Sequence, residues 1–303
     1  MVKIDDIEQI ITNIINTTHV KCGRGQHGSK NPTEQTIKEN PSWIQGQNPT
    51  ITHFTDDNGE DRISYKYENV GENEDTTVEI LFEDSDFDDY AFKKLILTDK
   101  NGNTQELNYM GRANSNDFFQ QHKRIILDKY GEDGWDFFIE YSSRFATADG
   151  WGLNAYLRGL RDKGDVDDYL MNNYNRFLDM EKNLNLSMGD PYVALRVFNR
   201  LHDNDDSDKR IVSDKAHTSA TVGADMSDLD VFAYTSEIGE CYRCLTVVPT
   251  GINVPGAYFG GAMEESDSKS NWEVETNFAP NNKFKRLFVD EENKIIVQEA
   301  IGI

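Results

Sequence analysis

The chain has 303 residues, with 54 acidic against 31 basic side chains and a formal charge of −23 at pH 7. The acidic excess is spread along its length, so a nucleic-acid backbone is repelled unless a local basic patch intervenes, and the plain consequence is solubility. Hydrophobic residues make up 37% and aromatics 11%, enough for a packed core in one large domain or two ordinary ones, while no apolar run reaches the ~20 residues of a membrane span.

The N-terminus, Met1-Val2-Lys3-Ile4-Asp5-Asp6, is acidic where a secretory leader is basic and then apolar. The expectation is a cytoplasmic site of synthesis, with delivery into another cell or carriage in a particle left open. Ile7, Ile10, Ile11, Ile14 and Ile15 share one helical face, which predicts an amphipathic helix over Ile4 to Ile15. Residues 18–60 are polar, with Gly, Pro and Asn throughout, and read as loop with short elements. Strands are expected at Arg62–Tyr67, Thr77–Phe82 and Phe92–Leu97. The last runs into the turn Asp99-Lys100-Asn101-Gly102-Asn103 and a return strand near Glu106–Tyr109.

The period changes near Asn114. Phe118–Lys129, Trp135–Arg144, Gly152–Leu160 and Val166–Leu184 have helical spacing. After Pro191 it shortens again, and Tyr192–Phe198, Leu245–Val248, Trp272–Phe278, Phe284–Val289 and Lys294–Gln298 read as strands. Helices followed by strands predict an α+β fold rather than a parallel α/β sheet. The expected division is a small α+β module over residues 1–112 and a second domain over 113–303.

Several local patterns carry little chemistry. Gly23-Arg24-Gly25-Gln26-His27-Gly28 has the glycine spacing of a dinucleotide fingerprint, but no strand is expected before it and no helix after it, so it reads as loop. His19, Cys22 and His27 lack a fourth metal donor. Cys241-x-x-Cys244 has no second pair for zinc, and three cysteines make no disulfide framework; a bridge between these two stays open. The acidic runs Glu72–Asp75 and Glu83–Asp89 lack EF-hand spacing and read as solvated loop edges.

The stretch Asn271-Trp272-Glu273-Val274-Glu275-Thr276-Asn277-Phe278-Ala279-Pro280 is different. In an extended chain residues i and i+2 point the same way, so Glu273 and Glu275 stand side by side. Holding two carboxylates together is costly unless a cation or a developing positive charge sits before them. Upstream lie Gly152-Leu153-Asn154-Ala155-Tyr156-Leu157-Arg158-Gly159 on a helix, Arg196 on the otherwise apolar strand Tyr192–Val197, and the hydroxyl-rich His217-Thr218-Ser219-Ala220-Thr221. Arg200, four residues beyond Arg196, is the alternative functional arginine.

In this order the four stretches resemble the R-S-E class of mono-ADP-ribosyltransferases, which includes enzymatic chains of bacterial binary toxins, vertebrate ecto-enzymes and tailed-phage enzymes. The resemblance covers about residues 115–300. It implies helices packed on two small, mainly antiparallel sheets around an NAD cleft. Arg196 matches the strand arginine, with Val197 in place of the usual glycine. Ser219 matches the first serine of the hydroxyl motif, with Ala220 and Thr221 for the other two and His217 where an aromatic is usual. Asn154 matches the helix asparagine, and Phe145 and Trp151 are the nearest aromatics before it. Glu275 matches the catalytic glutamate, Glu273 its upstream partner, and Pro280 follows Glu275 at the family spacing.

The chemistry suits these side chains. An arginine fork pairs with a pyrophosphate, which suits Arg196 to NAD; the resemblance implies that Asn154, Ser219 and Thr221 bind NAD with it. Breaking the nicotinamide–ribose bond leaves an oxocarbenium-like ribose that a neighbouring carboxylate, Glu275, stabilises, with Ser219 holding that carboxylate. Glu273 then faces the acceptor; in the family a second glutamate accompanies arginine acceptors. The resemblance thus implies transfer of ADP-ribose from NAD to an arginine of a target protein, without a metal. Two other readings are NAD glycohydrolysis and a structural or particle-associated protein that keeps the fold. Pro249–Ser270 is long for a hairpin loop, and Tyr258, Phe259 and Trp272 are its candidate target contacts, or rings that simply pin it. Residues 1–112 are the expected seat of a docking or delivery partner.

Overall fold

Alternation is plainest in Thr76–Glu83, where Val78, Ile80 and Phe82 turn inward and Thr77, Glu79 and Leu81 lie partly open. The computed structural model describes residues 48–70, 76–84, 92–146, 148–198, 211–223, 242–259, 275–290 and 292–303. The expected helix at Ile4–Ile15, the loop Gly23–Gly28, His19, Cys22, His27, Cys241 and most of the two acidic runs lie outside these residues.

A five-stranded antiparallel sheet follows chain order: β1 (Thr50–Thr55), β2 (Asp61–Val70), β3 (Thr76–Glu83), β4 (Phe92–Thr98) and β5 (Thr104–Leu107). In the β4–β5 turn, Asp99 Oδ1 accepts from the backbone N–H groups of Asn101 and Asn103, both at 2.8 Å, and Gly102 takes φ 79°.

Three helices come next. In α1 (Gly111–Phe145) the two predicted helices are joined across Gly131, whose φ 69° and ψ −171° only glycine adopts without strain. After α2 (Ala148–Leu157) comes α3 (Asp168–Glu181), capped by Asp167 Oδ1, which accepts from Leu170 N–H at 2.9 Å. Leu170, Phe177 and Met180 recur on the buried face of α3. No helix among the described residues is long and apolar enough to cross a membrane.

The remaining strands are β6 (Tyr192–Phe198), β7 (Ile211–Ser213), β8 (Thr218–Thr221), β9 (Tyr242–Val248), β10 (Gly256–Tyr258), β11 (Glu275–Phe278), β12 (Lys283–Asp290) and β13 (Ile295–Gly302). They form one sheet in the order β10-β11-β8-β6-β9-β13-β12-β7. The fold is α+β, with β9–β13 a parallel pair. This sheet has a seam. β6 pairs with β9 along its whole length, Tyr192–Phe198, but meets β8 at the single pair Leu195↔Thr221. A three-stranded part, β10-β11-β8, is thus joined at one point to a five-stranded part.

The two faces of the five-stranded part are closed differently. Val193, Leu195, Leu245, Val247, Leu287, Ile295 and Val297 pack against Ile63, Tyr65, Val78, Ile80 and Leu95 of the N-terminal sheet, and this core crosses the boundary expected at residue 112. The other core gathers Phe138, Tyr141, Phe145, Phe177 and their neighbours from the helices. A side-chain hydrogen bond crosses the first core. Tyr67 donates its hydroxyl to Asp290 Oδ2 at 2.7 Å, and its ring lies 4.4 Å from that of Phe288. Burial, the charge of Asp290 and the hydrogen bond all push the Tyr67 phenol upward, so it stays a donor. Tyr67→Phe is expected to cost about 1.5–3 kcal/mol, the worth of a buried hydrogen bond to a charged acceptor. Urea unfolding monitored by far-UV circular dichroism checks this; an unchanged midpoint would mean that the bond does not tie the sheets.

Candidate active site

Strand pairing builds a polar square. Glu275 stands opposite Thr221, and Asn277 opposite Ser219. Because i and i+2 share a face, all four side chains lie on one side of the β8–β11 pair, while Thr276, Phe278 and Ala220 turn to the other side. Phe278 and Ala220 join the helical core, which fixes the register: a slip by one residue would send Glu275 into that core.

Glu275 is only 8% exposed. Burial pushes its carboxyl up to about 7. A hydrogen bond from the Ser219 hydroxyl and the positive charges of Arg196 and His217 pull the other way and do not offset it. Asn277 Nδ2 donates to Glu275 Oε1 at 3.4 Å, a long contact. Near neutral pH the carboxyl is thus divided between its two protonation states. Arg196 lies on β6, across the seam, and its positive charge is felt at Glu275. The site therefore draws a carboxylate and its hydroxyl partner from one part of the sheet and a guanidinium from the other.

The start of β8 is held by helices. Asn154 Oδ1 accepts from the backbone N–H of His217 at 3.1 Å. Four residues on, just after the end of α2, Arg158 donates to the His217 carbonyl at 3.2 Å and forks onto Asp214, with Nε 3.0 Å from Oδ1 and Nη2 2.5 Å from Oδ2. Asp214 Oδ1 also accepts from Ala216 N–H at 2.9 Å. The His217 ring leaves the strand for the helical core, where Nε2 meets Glu181 Oε2 at 2.6 Å and both side chains are fully buried.

The structure thus brings together Ser219, Thr221 and Glu275 of the expected site residues, with Asn154 close by through the backbone of His217 and Arg196 acting on Glu275 through its charge. The Thr221 hydroxyl accepts from Gly223 N–H at 3.3 Å, closing its own turn. Glu273, Trp272 and Arg200 lie outside the described residues. Tyr258 and Phe259 differ from the expectation that they contact a target. They are 4% and 0% exposed, Tyr258 on β10 and Phe259 edge-on to Phe138, Phe145 and Phe177. The segment includes the paired strand Gly256–Tyr258, and burying such a ring is worth about 1.5–3 kcal/mol, which exposure would forfeit. Phe259 still serves the site, since its N–H donates to the Glu275 carbonyl at 2.8 Å.

Asn277, Glu181 and Asp214 are neighbours that sequence reasoning missed. Asn277 was discoverable from its i+2 relation to Glu275, and Arg158 from its i+4 relation to Asn154. Glu181 and Asp214 carry no local signal. Among the described residues, no group of three or more His, Cys, Asp or Glu is arranged to hold a metal ion. Cys244 is buried on β9.

No protein-family model and no curated protein matches this chain. Several solved structures align distantly. One is C3stau2 from S. aureus with NAD, at 10% identity over 65% of this chain and 98% of that one, TM-score 0.44. Another is the Vibrio splendidus ADP-ribosyltransferase Vis in complex with agmatine, at 18% identity over 62% and 82%, TM-score 0.41. A third is BECa, an ADP-ribosylating toxin of a C. perfringens binary enterotoxin, with NADH, at 12% identity over 99% and 73%, TM-score 0.44.

Burial of Glu275 has a measurable cost. The folded chain holds the carboxyl proton up to about pH 7, whereas the unfolded chain releases it near 4.5. The unfolded state therefore loses its proton first, and stability falls as pH rises through that window, by up to about 3 kcal/mol. Glu275→Gln is expected to gain about 1–3 kcal/mol over wild type at pH 8 and little at pH 4.5. Urea unfolding at the two pH values measures the difference; an equal effect at both would place the carboxylate in water.

Proposed function

We propose that the chain is an NAD-dependent mono-ADP-ribosyltransferase that moves ADP-ribose from NAD to an arginine of a target protein and releases nicotinamide. The observation that carries this reading is the buried Glu275 carboxylate, hydrogen-bonded by Ser219 on the same sheet face and within the influence of the Arg196 charge on β6. Cleaving a nicotinamide–ribose bond puts positive charge on the ribose. A carboxylate in a dry site, fixed by a neutral hydroxyl that does not cancel its charge, stabilises that centre far better than it would in water. Arg196 supplies a planar fork suited to the pyrophosphate. Asn154 fixes the strand that carries Ser219, and Thr221 closes its far end.

The second half of the proposal concerns the acceptor. Guanidinium barely releases a proton in water, so a carboxylate that pairs with it and takes the proton in the transition state is useful. Glu273, two residues before Glu275, is assigned that role on sequence alone.

The test is incubation with labelled NAD and an arginine-bearing protein mixture, comparing wild type, Glu275→Gln and Glu273→Gln. Wild type should label protein. Glu275→Gln should lose NAD cleavage by about 10²–10³-fold, the scale for removing one charge-stabilising group. Glu273→Gln should still cleave NAD but not label protein. Since only ionised Glu275 stabilises the ribosyl cation, the wild-type cleavage rate should fall as pH drops below about 7. Nicotinamide release with no protein label would replace the transferase reading with glycohydrolysis. No cleavage, and no NAD binding by calorimetry, would remove both.

A further inference from the structure

The buried pair Glu181–His217 takes no part in the chemistry above. The two side chains are fully buried, with Nε2 2.6 Å from Oε2. Around them are rings. Phe145 lies edge-on to the imidazole at 4.8 Å, and Tyr174 and Phe177 lie at 6.0 and 6.1 Å. Neither Glu181 Oε1 nor His217 Nδ1 has a hydrogen-bond partner among the described residues. A buried acid–base pair of this kind is weak evidence of stabilisation, since well-packed apolar residues in its place are commonly neutral or stabilising. Stability alone gives no reason for it here.

Its position does. His217 is the residue immediately before β8, and Ser219 follows two residues later. The backbone of His217 is gripped on both sides by α2 and the residue that follows it, through Asn154 on the N–H and Arg158 on the carbonyl. Those bonds hold the main chain just before the ladder begins at Thr218, opposite Phe278. The imidazole bonded to Glu181 is the third point, and it comes from α3. Three anchors on two helices define one orientation for the start of the strand. From there the ladder Ser219↔Asn277 and Thr221↔Glu275 transmits that orientation to the carboxylate.

We infer that the Glu181–His217 hydrogen bond is a positioning device, which aims β8 so that the Ser219 hydroxyl meets Glu275. The inference rests on the role given to Glu275 above, and it assigns no contact with substrate to either residue. The titratable groups that act on or touch the pair are Tyr141 from α1, Arg158 just after α2, Tyr174 from α3, and Glu275 from the sheet. Burial first, and the charge of Glu181 second, push both tyrosine phenols upward, so neither is charged near neutral pH. Among these groups the carboxyl of Glu275 is the one whose titration reports on Ser219. Losing that hydroxyl, or the positive charge of His217, moves it up.

The experiment replaces both partners at once, with Glu181→Leu and His217→Phe, so that no polar group is orphaned. The full chain is labelled with ¹³C at glutamate carboxyls, and the Glu275 resonance is assigned with Glu275→Gln. The double variant should melt no lower than wild type, yet titrate at Glu275 clearly above wild type and cleave NAD with kcat down about 10²-fold, the scale of a misplaced catalytic group, at little-changed KM. His217→Gln, which keeps an N–H to offer Glu181, should restore the titration midpoint toward wild type. If the double variant is unstable, Glu181→Gln with His217→Phe is read in the same way. A folded variant with an unmoved Glu275 midpoint overturns the inference, as does His217→Gln behaving like the double variant. Wild type that cleaves no NAD removes the proposed reaction, while the titration still decides the positioning role.

Discussion

A carboxylate kept inside a protein must be given partners or it takes up a proton. Glu275 is at that limit, and the rest of the site follows from how narrowly the limit is met. Ser219, Arg196 and His217 each favour the charged form, yet burial prevails and the carboxyl sits near neutrality. A fully exposed glutamate would be ionised and weak, and a fully unpartnered one would be neutral and useless as an anion. The strand pairing, the aromatic core and the helical clamps all serve to hold this intermediate condition.

The clamps come from opposite directions. Below the β8–β11 pair, Phe278 and Ala220 lock the register into the helical core. At the edge, Phe259 is buried among Phe138, Phe145 and Phe177 and ties its own backbone to that of Glu275. At the start of β8, α2 grips the backbone of His217 and α3 grips its side chain. Asn282 closes the turn after β11, donating to the carbonyls of Pro255 at 2.6 Å and Ala279 at 2.9 Å. None of these contacts touches the carboxylate, and together they leave it little freedom.

Much of this was legible in the sequence where the signal is local. The period of two in β3, the turn chemistry of Asp99–Asn103 and the 3.6 period around Phe177 each predicted their element. The i+2 spacing that drew attention to Glu275 also put Asn277 beside it, although only Glu273 was read from it. The juxtaposition of Ser219 with Glu275 came from a resemblance and not from spacing, because 56 residues separate them and the ladder that joins them is long-range. Glu181 lies 36 residues before His217, and the amphipathic pattern of α3 marks its position only as a core face. Asp214 lies in a turn that looks like any acidic loop. Of the two roles open for Tyr258 and Phe259, their burial fits pinning the segment, since the apolar mass of the two rings draws it into the sheet and the helical core.

The seam between β6 and β8 separates the tasks of the site. Arg196 belongs to a strand paired with β9 along its whole length, whereas Ser219 and Glu275 belong to strands that meet β6 at one pair, Leu195↔Thr221. An inserted or deleted residue on one side does not propagate through a hydrogen-bond ladder to the other. The half that presents the guanidinium and the half that presents the carboxylate can therefore drift independently in lineage, each kept in tune by its own packing.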